Sequence, residues 1–134
     1  MDDVRKMLRN LSDAANERGA PLDWFEDLYE VAEKDRNLIP WSKGEPHPFL
    51  VDWLDNHSKQ KAGSALVVGC GLGEDAVFLA ERGWNVTAFD LSASAIDWVK
   101  EMHSNPSISW EVGDLLNPHP AWIGAFDFVL EVHI

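Results

Sequence analysis

Apolar positions along the chain fall into two regimes. In the first 33 residues they recur at helical spacing. Val4, Met7, Leu8 and Leu11 share one face of a predicted helix over residues 3–17. Gly19 and Pro21 punctuate its end. Trp24, Phe25, Leu28, Tyr29 and Ala32 predict a second helix over about residues 22–33. Residues 36–48 (RNLIPWSKGEPHP) read as loop, because Pro40, Gly44, Pro46 and Pro48 prevent a regular helix. A short helix over 49–55 and a polar connector, SKQKAG (58–63), follow.

From Ala65 the pattern changes to short, unbroken apolar runs that alternate with helical segments. ALVVG (65–69) has the composition of a strand buried on both faces. GEDAVFLAERG (73–83) predicts a helix that stops at Gly83. WNVTAFD (84–90) predicts a second strand, and Ser92 is a suitable cap for a helix over 93–103. SISWEVGD (107–114) and AFDFVLEVHI (125–134) predict a third and a fourth strand. This alternation predicts an α/β, Rossmann-like domain: a parallel sheet wound by right-handed crossovers, with helices on both faces. There is no internal repeat and no low-complexity tract.

Composition narrows the classes. A chain of 134 residues, 46% hydrophobic and 25% charged, fits one globular domain. Seven tryptophans require large apolar faces to be packed. Asp and Glu number 23 against 11 Lys and Arg, a formal charge of −12. That balance argues against a nucleic-acid backbone or an anionic lipid surface as partner and favours a small neutral or cationic ligand. The single cysteine, Cys70, rules out an internal disulfide and a multi-cysteine metal site, and no metal is expected. The first ten residues lack the apolar run of a signal peptide, and no stretch has the length and apolarity of a membrane span. A cytoplasmic location is the expectation.

The sharpest feature is Val68-Gly69-Cys70-Gly71-Leu72-Gly73-Glu74-Asp75, which follows a predicted strand and opens a predicted helix. In that context glycines allow a tight turn and close approach of a ligand to the backbone. Asp90 ends the second strand 21 residues beyond Gly69, where a carboxylate can accept both hydroxyls of a ribose. Glu74 and Asp75 would repel a pyrophosphate at the helix N-terminus. The third glycine is also one residue early for the dinucleotide fingerprint GxGxxG. S-adenosylmethionine carries no phosphate and bears a sulfonium and an ammonium, which suit an acidic loop. Each residue also has a plain structural reading. Glu74 and Asp75 complement a helix dipole, Asp90 serves as a turn residue, and Cys70 packs, with no histidine near it in sequence to activate it.

On these motifs residues 65–134 resemble the class I S-adenosylmethionine-dependent methyltransferases. VVGCGLGEDA is similar to their first motif, VTAFDLS to their ribose-binding second strand, WEVGDLL to the segment after the third strand, and FDFVLEV to the fourth-strand motif. The resemblance implies that Gly69, Cys70, Gly71 and Gly73 shape the loop around the methionine part. It implies that Asp90 with Leu91 holds the ribose. Asp114 would accept from the adenine amine, with the Leu115 backbone at the ring, and Glu131 or Val132 would line the methionine side. Upstream, WFEDLYEVAEKD and IPWSKGEPHPFLVDWL are similar to the lead-in of the thiopurine and halide/thiol methyltransferase-like group. There a tryptophan covers the cofactor, and Trp41 is the matching position; ordinary packing is the competing reading.

The implied organisation is a helical lead-in and cofactor lid over 1–60 and the N-terminal half of the S-adenosylmethionine-binding domain over 61–134. The complete class I sheet has seven strands, of which four are visible here, so the fold is expected to be incomplete at its C-terminus. The expected activity is methyl transfer to a small-molecule acceptor such as a thiol, a halide or another soft nucleophile. The acceptor and the catalytic residues are not readable; His133 is the sole histidine that the sequence puts near the reacting centre, and its ordinary role is packing. The rival reading is a nucleoside-binding module without catalysis that works through its open strand, and an NAD oxidoreductase is weaker still. An unpaired fourth strand also predicts a homodimer through that edge.

Overall fold

The computed structural model describes residues 2–42, 44–57 and 61–131. Val132 and His133, named above, lie outside the described residues. So do residues 58–60 of the polar connector.

The lead-in forms helices α1 (Asp2–Glu17), α2 (Asp23–Ala32) and α3 (Pro48–Asn56). A single 3-10 turn, Arg36–Leu38, interrupts the stretch read as loop. It forms because the Asp35 side chain accepts from the Asn37 amide, a local bond that closes a turn without helical periodicity. At α3, Pro48 occupies the first helical position, where its missing N–H is no loss, and His47 Nδ1 accepts from the Phe49 amide at 3.2 Å.

The second half runs β1 (Ser64–Val68), α4 (Glu74–Glu81), β2 (Asn85–Asp90), α5 (Ala93–Met102), β3 (Ile108–Val112) and β4 (Phe128–Glu131). All pairings are parallel, in the order β3-β2-β1-β4. The order reverses at β1, which pairs with β2 on one side and β4 on the other. Val68 lies opposite both Phe89 and Glu131. The apolar runs seen in the sequence are the core: Ala65, Val67, Val86, Ala88 and Ile108 are buried with Leu79, Ile96 and Val99 from α4 and α5. Ser92 caps α5 as expected, its Oγ accepting from the Ala95 amide at 3.1 Å.

The two regimes join through a second layer of helices. α4 and α5 pack on the sheet, α2 packs on α5, and α1 packs on α2. Glu26 of α2 completes the junction: its carboxylate accepts from the Ser92 hydroxyl at 2.9 Å and from the Ser94 amide at 2.9 Å. A 3-10 turn at Pro120–Trp122, unforeseen in the sequence, puts Trp122 against Phe89, ring centroids 4.9 Å apart. Among the described residues no helix is long and apolar enough to cross a membrane.

Candidate functional site

In an open parallel sheet, ligands bind beyond the C-terminal ends of the strands, at the point where strand order reverses. That point here is the end of β1. The turn that follows takes Gly69, Gly71 and Gly73 through left-handed backbone (φ 62°, 53° and 82°), a region that side chains disfavour. A cavity of about 900 Å³ opens over the turn, a size suited to a nucleoside-containing small molecule. Its floor is the run from Val68 to Leu72, and its sides are the ends of β2 (Phe89–Leu91) and the segment after β3 (Gly113–Leu116). Its roof is the lead-in, with Phe25, Tyr29, Trp41 and the stretch from Glu45 to Pro48.

Of the residues singled out from sequence, Trp41, Gly69, Cys70, Gly71, Asp90, Leu91, Asp114 and Leu115 all line this cavity. Trp41 sits directly over the glycine turn: a Cβ built on Gly71 would lie 3.5 Å from its Nε1. Gly73 and Glu131 are not among the lining residues. Gly73 is turned toward the core, where a Cβ would come within 2.5 Å of Trp110 Cη2. Its glycine is therefore required by packing under the loop as well as by its backbone angle. Glu131 lines a separate, more open groove of about 390 Å³ with His47, Phe49, Trp53 and Phe128. His47 borders both spaces.

Asp90 is held by backbone amides. Oδ2 accepts from Gly71 N at 2.9 Å and Oδ1 from Ser92 N at 3.0 Å. The acid thus ties the glycine turn to the end of β2, and the carboxylate has acceptor capacity left for a ligand. Burial pushes its carboxyl above the ordinary range despite these amides. Burial, and then the nearby Asp90 carboxylate, push the Cys70 thiol well up, which leaves it a neutral packing group rather than a nucleophile.

Glu74 and Asp75 stand in the first turn of α4, where the sequence puts them, and they have a further role there. Glu74 Oε1 accepts from the Ser42 hydroxyl and from Gly44 N, and Asp75 Oδ1 accepts from His47 N at 2.7 Å. These acids clamp the lead-in onto the start of α4 and so build the roof. Their charge still borders the cavity. Tyr29 and Phe25 line the cavity without being marked for it in the sequence, because helical spacing marks a residue as facing inward without saying what it faces.

The parallel order β3-β2-β1-β4, the glycine turn at the point of reversal and the acid ending β2 define the Rossmann-like fold of the class I methyltransferases. Comparison with known proteins agrees. Residues 32–116 match the family model described as "Thiopurine S-methyltransferase (TPMT)". The chain is 30% identical over 100 residues to the 2-heptyl-1-hydroxyquinolin-4(1H)-one methyltransferase of Mycobacteroides abscessus, covering 71% of this chain and 43% of that protein. It is 35% identical over 68 residues to thiocyanate methyltransferase 1 of Brassica oleracea, covering 51% and 30%. Among solved structures, it superposes with TM-score 0.61 and 34% identity on the one described as "Conversion of a Disulfide Bond into a Thioacetal Group during Echinomycin Biosynthesis", covering 70% of this chain and 39% of that one. The chain belongs to the thiopurine S-methyltransferase family. It spans less than half the length of these relatives.

Proposed function

We propose that this chain forms the cofactor-binding part of an S-adenosylmethionine-dependent methyltransferase that acts on a small-molecule acceptor with a soft nucleophilic atom, such as a thiol or thiocyanate. The observation that carries the reading is Asp90, brought to Gly71 at the mouth of a cavity roofed by Trp41. The names of the relatives, thiocyanate methyltransferase among them, support the acceptor class.

The cavity fits the cofactor on charge. Glu45, Glu74, Asp75, Asp90 and Asp114 border it, and among the described residues no lysine or arginine does. Such a wall favours a sulfonium and an ammonium and opposes a pyrophosphate. Asp90 would accept the ribose hydroxyls, Asp114 the adenine amine, and the amides of the glycine turn would meet the methionine part. The bound cofactor would supply a methyl group activated by its sulfonium: an acceptor attacking that carbon in line would take the methyl as the C–S bond breaks, with S-adenosylhomocysteine as the leaving group. The residues of the chain then need chiefly to orient and to exclude water. Positioning of this kind lowers a barrier by roughly 7 to 11 kcal/mol. The lead-in, as a lid fastened by Glu74 and Asp75, would do both. Calorimetry with S-adenosylhomocysteine and NAD tests the assignment: the former is expected to bind more tightly, and the reverse order would refute it.

A second reading, a nucleoside-binding module that works by association, is favoured by one observation. Among the described residues β4 stands at an edge of the sheet, and Val129 on it is 56% exposed. Turnover of a thiol acceptor by the isolated chain would exclude it.

A further inference from the structure

We propose that the Tyr29 hydroxyl donates a hydrogen bond to the carboxylate of the cofactor's amino-acid arm, which makes Tyr29 a cofactor-binding residue. The proposal rests on the S-adenosylmethionine reading above.

Tyr29 is 4% exposed, and its ring stands edge-on to Trp41 and Trp98. From there its hydroxyl reaches the glycine turn. A Cβ on Gly71 would lie 3.4 Å from Tyr29 Oη, and Tyr29 lines the cavity. Trp41 Nε1 donates to Tyr29 Oη at 2.9 Å. The phenol oxygen therefore accepts one bond, and among the described residues no bond uses its proton. A phenolic O–H without an acceptor in a desolvated place is costly, and a ligand acceptor would remove that cost. Burial, and then the Asp90 carboxylate, push the phenol far up, so it keeps the proton at any physiological pH. The Trp41 N–H polarises the phenol and strengthens it as a donor.

The identity of the acceptor follows from the charges. The cofactor's ribose hydroxyls, adenine amine and ammonium all donate, and the carboxylates around the cavity can serve them. Its carboxylate only accepts. Among the described lining residues five are acids and none is a lysine or arginine, so uncharged N–H and O–H groups are the donors at hand to meet it. The glycine-turn amides are one set. Tyr29, placed over Gly71 with a proton to give, is the side chain that adds to them.

The test is a two-by-two cycle by calorimetry on the full 134-residue chain: wild type and Tyr29→Phe, each with S-adenosylmethionine and with its decarboxylated analogue. The wild type is expected to prefer S-adenosylmethionine roughly tenfold or more, and Tyr29→Phe to lose most of that preference while binding the decarboxylated analogue within about twofold of wild type. A Trp41→Phe variant, which retains the phenol but not its polarising partner, should lower the preference by about twofold to threefold. Equal binding of the two ligands by wild type overturns the proposal without any variant. So does an equal loss of both ligands in Tyr29→Phe. Failure of wild type to bind either ligand overturns the methyltransferase reading, and the proposal with it.

Discussion

Glu26 on α2 and Ser94 on α5 lie 68 positions apart, yet Glu26 Oε1 accepts from both the amide (2.9 Å) and the hydroxyl (3.1 Å) of Ser94. The other carboxylate oxygen accepts from Ser92 Oγ, which itself caps α5. One side chain of the lead-in thus satisfies the N-terminus of a helix in the Rossmann-like half. Removing it leaves the proton of a fully buried serine hydroxyl and a part-buried amide without acceptors. Glu26→Ala is expected to cost about 1 to 3 kcal/mol in urea denaturation, whereas Ser94→Ala, which keeps the amide bond, should cost well below that. Equal effects of the two substitutions would show that the junction is not held by the capping contact.

Asp90 has a structural and a binding role, so its replacement must affect both. Asp90→Ala removes the acceptor of Gly71 N and Ser92 N and, on the proposed reading, of two ribose hydroxyls. Affinity for S-adenosylhomocysteine should fall by roughly 1.5 to 3 kcal/mol, and stability should fall with it.

The pH signs of the two roles differ. The folded-state carboxyl of Asp90 lies above its ordinary 3.8. Between those two values the free folded chain holds a proton that the unfolded chain has released, so the contribution of Asp90 to folding declines as pH rises through the window. Ligand binding needs the ionised acceptor and should instead weaken as pH falls through the same window. Calorimetry across mildly acidic pH checks this, with Asp90→Asn expected to flatten the profile. Asp75 is raised by burial too, so a profile unchanged by Asp90→Asn would assign the effect elsewhere.

Glu74 and Asp75 hold Ser42, Gly44 and His47, which flank Trp41. The double variant Glu74→Gln/Asp75→Asn keeps the size of both groups and removes the charge that strengthens these bonds. It should loosen the roof. The expected result is weaker binding of S-adenosylhomocysteine by about tenfold and a smaller change in tryptophan fluorescence on titration. A binding constant equal to wild type would show that the roof does not contact the ligand.

Gly73 combines a left-handed backbone with a close neighbour. At φ 82° an L side chain is disfavoured by ~1 to 2 kcal/mol, and a methyl group would overlap Trp110 Cη2, which adds ~1 to 3 kcal/mol of overpacking. Gly73→Ala should therefore lower the melting temperature markedly. Trp110→Leu in the same chain should relieve the overlap but not the backbone cost, a partial rescue that calorimetric melting can resolve. A full rescue would show that the backbone angle is unimportant.

Much of this was legible in the sequence for a simple reason. Strands buried on both faces must be short apolar runs, as in Ala65–Val68, and turns with positive φ need glycine, as at Gly69 and Gly71. These are local demands, and the sequence carries them locally. The place of Asp90 followed from the length of one strand–helix–strand unit. What could not be read were pairings across long separations. The spacing of Glu74 and Asp75 fits a helix dipole, and nothing local says that amides some thirty residues upstream use them. Tyr29 falls on the inward face of α2, but that face meets both α5 and the cavity. The role of Gly73 depends on Trp110, a strand residue whose ring lies beneath the loop.

The outer edge of β4 carries the last prediction. β4 pairs with β1 along one side, and among the described residues no strand pairs with the other. Its sequence from Phe128 to Leu130 is apolar, whereas the opposite edge, β3, presents Ser109 and Glu111. An exposed apolar edge is a template for another strand, and two-fold pairing of identical edges satisfies both copies at once. The isolated 134-residue chain is therefore expected to self-associate through β4. The formal charge of −12 opposes this at long range, and salt screens that repulsion. Association should thus increase between about 0.01 M and 0.15 M salt, the reverse of what a charge-paired interface would show. Val129→Glu would set like charges across the paired strands and should yield a monomer by sedimentation velocity. A wild-type chain that remains monomeric at micromolar concentration and 0.15 M salt would show that the edge is not a contact. A dimer indifferent to Val129→Glu would place the contact on another face.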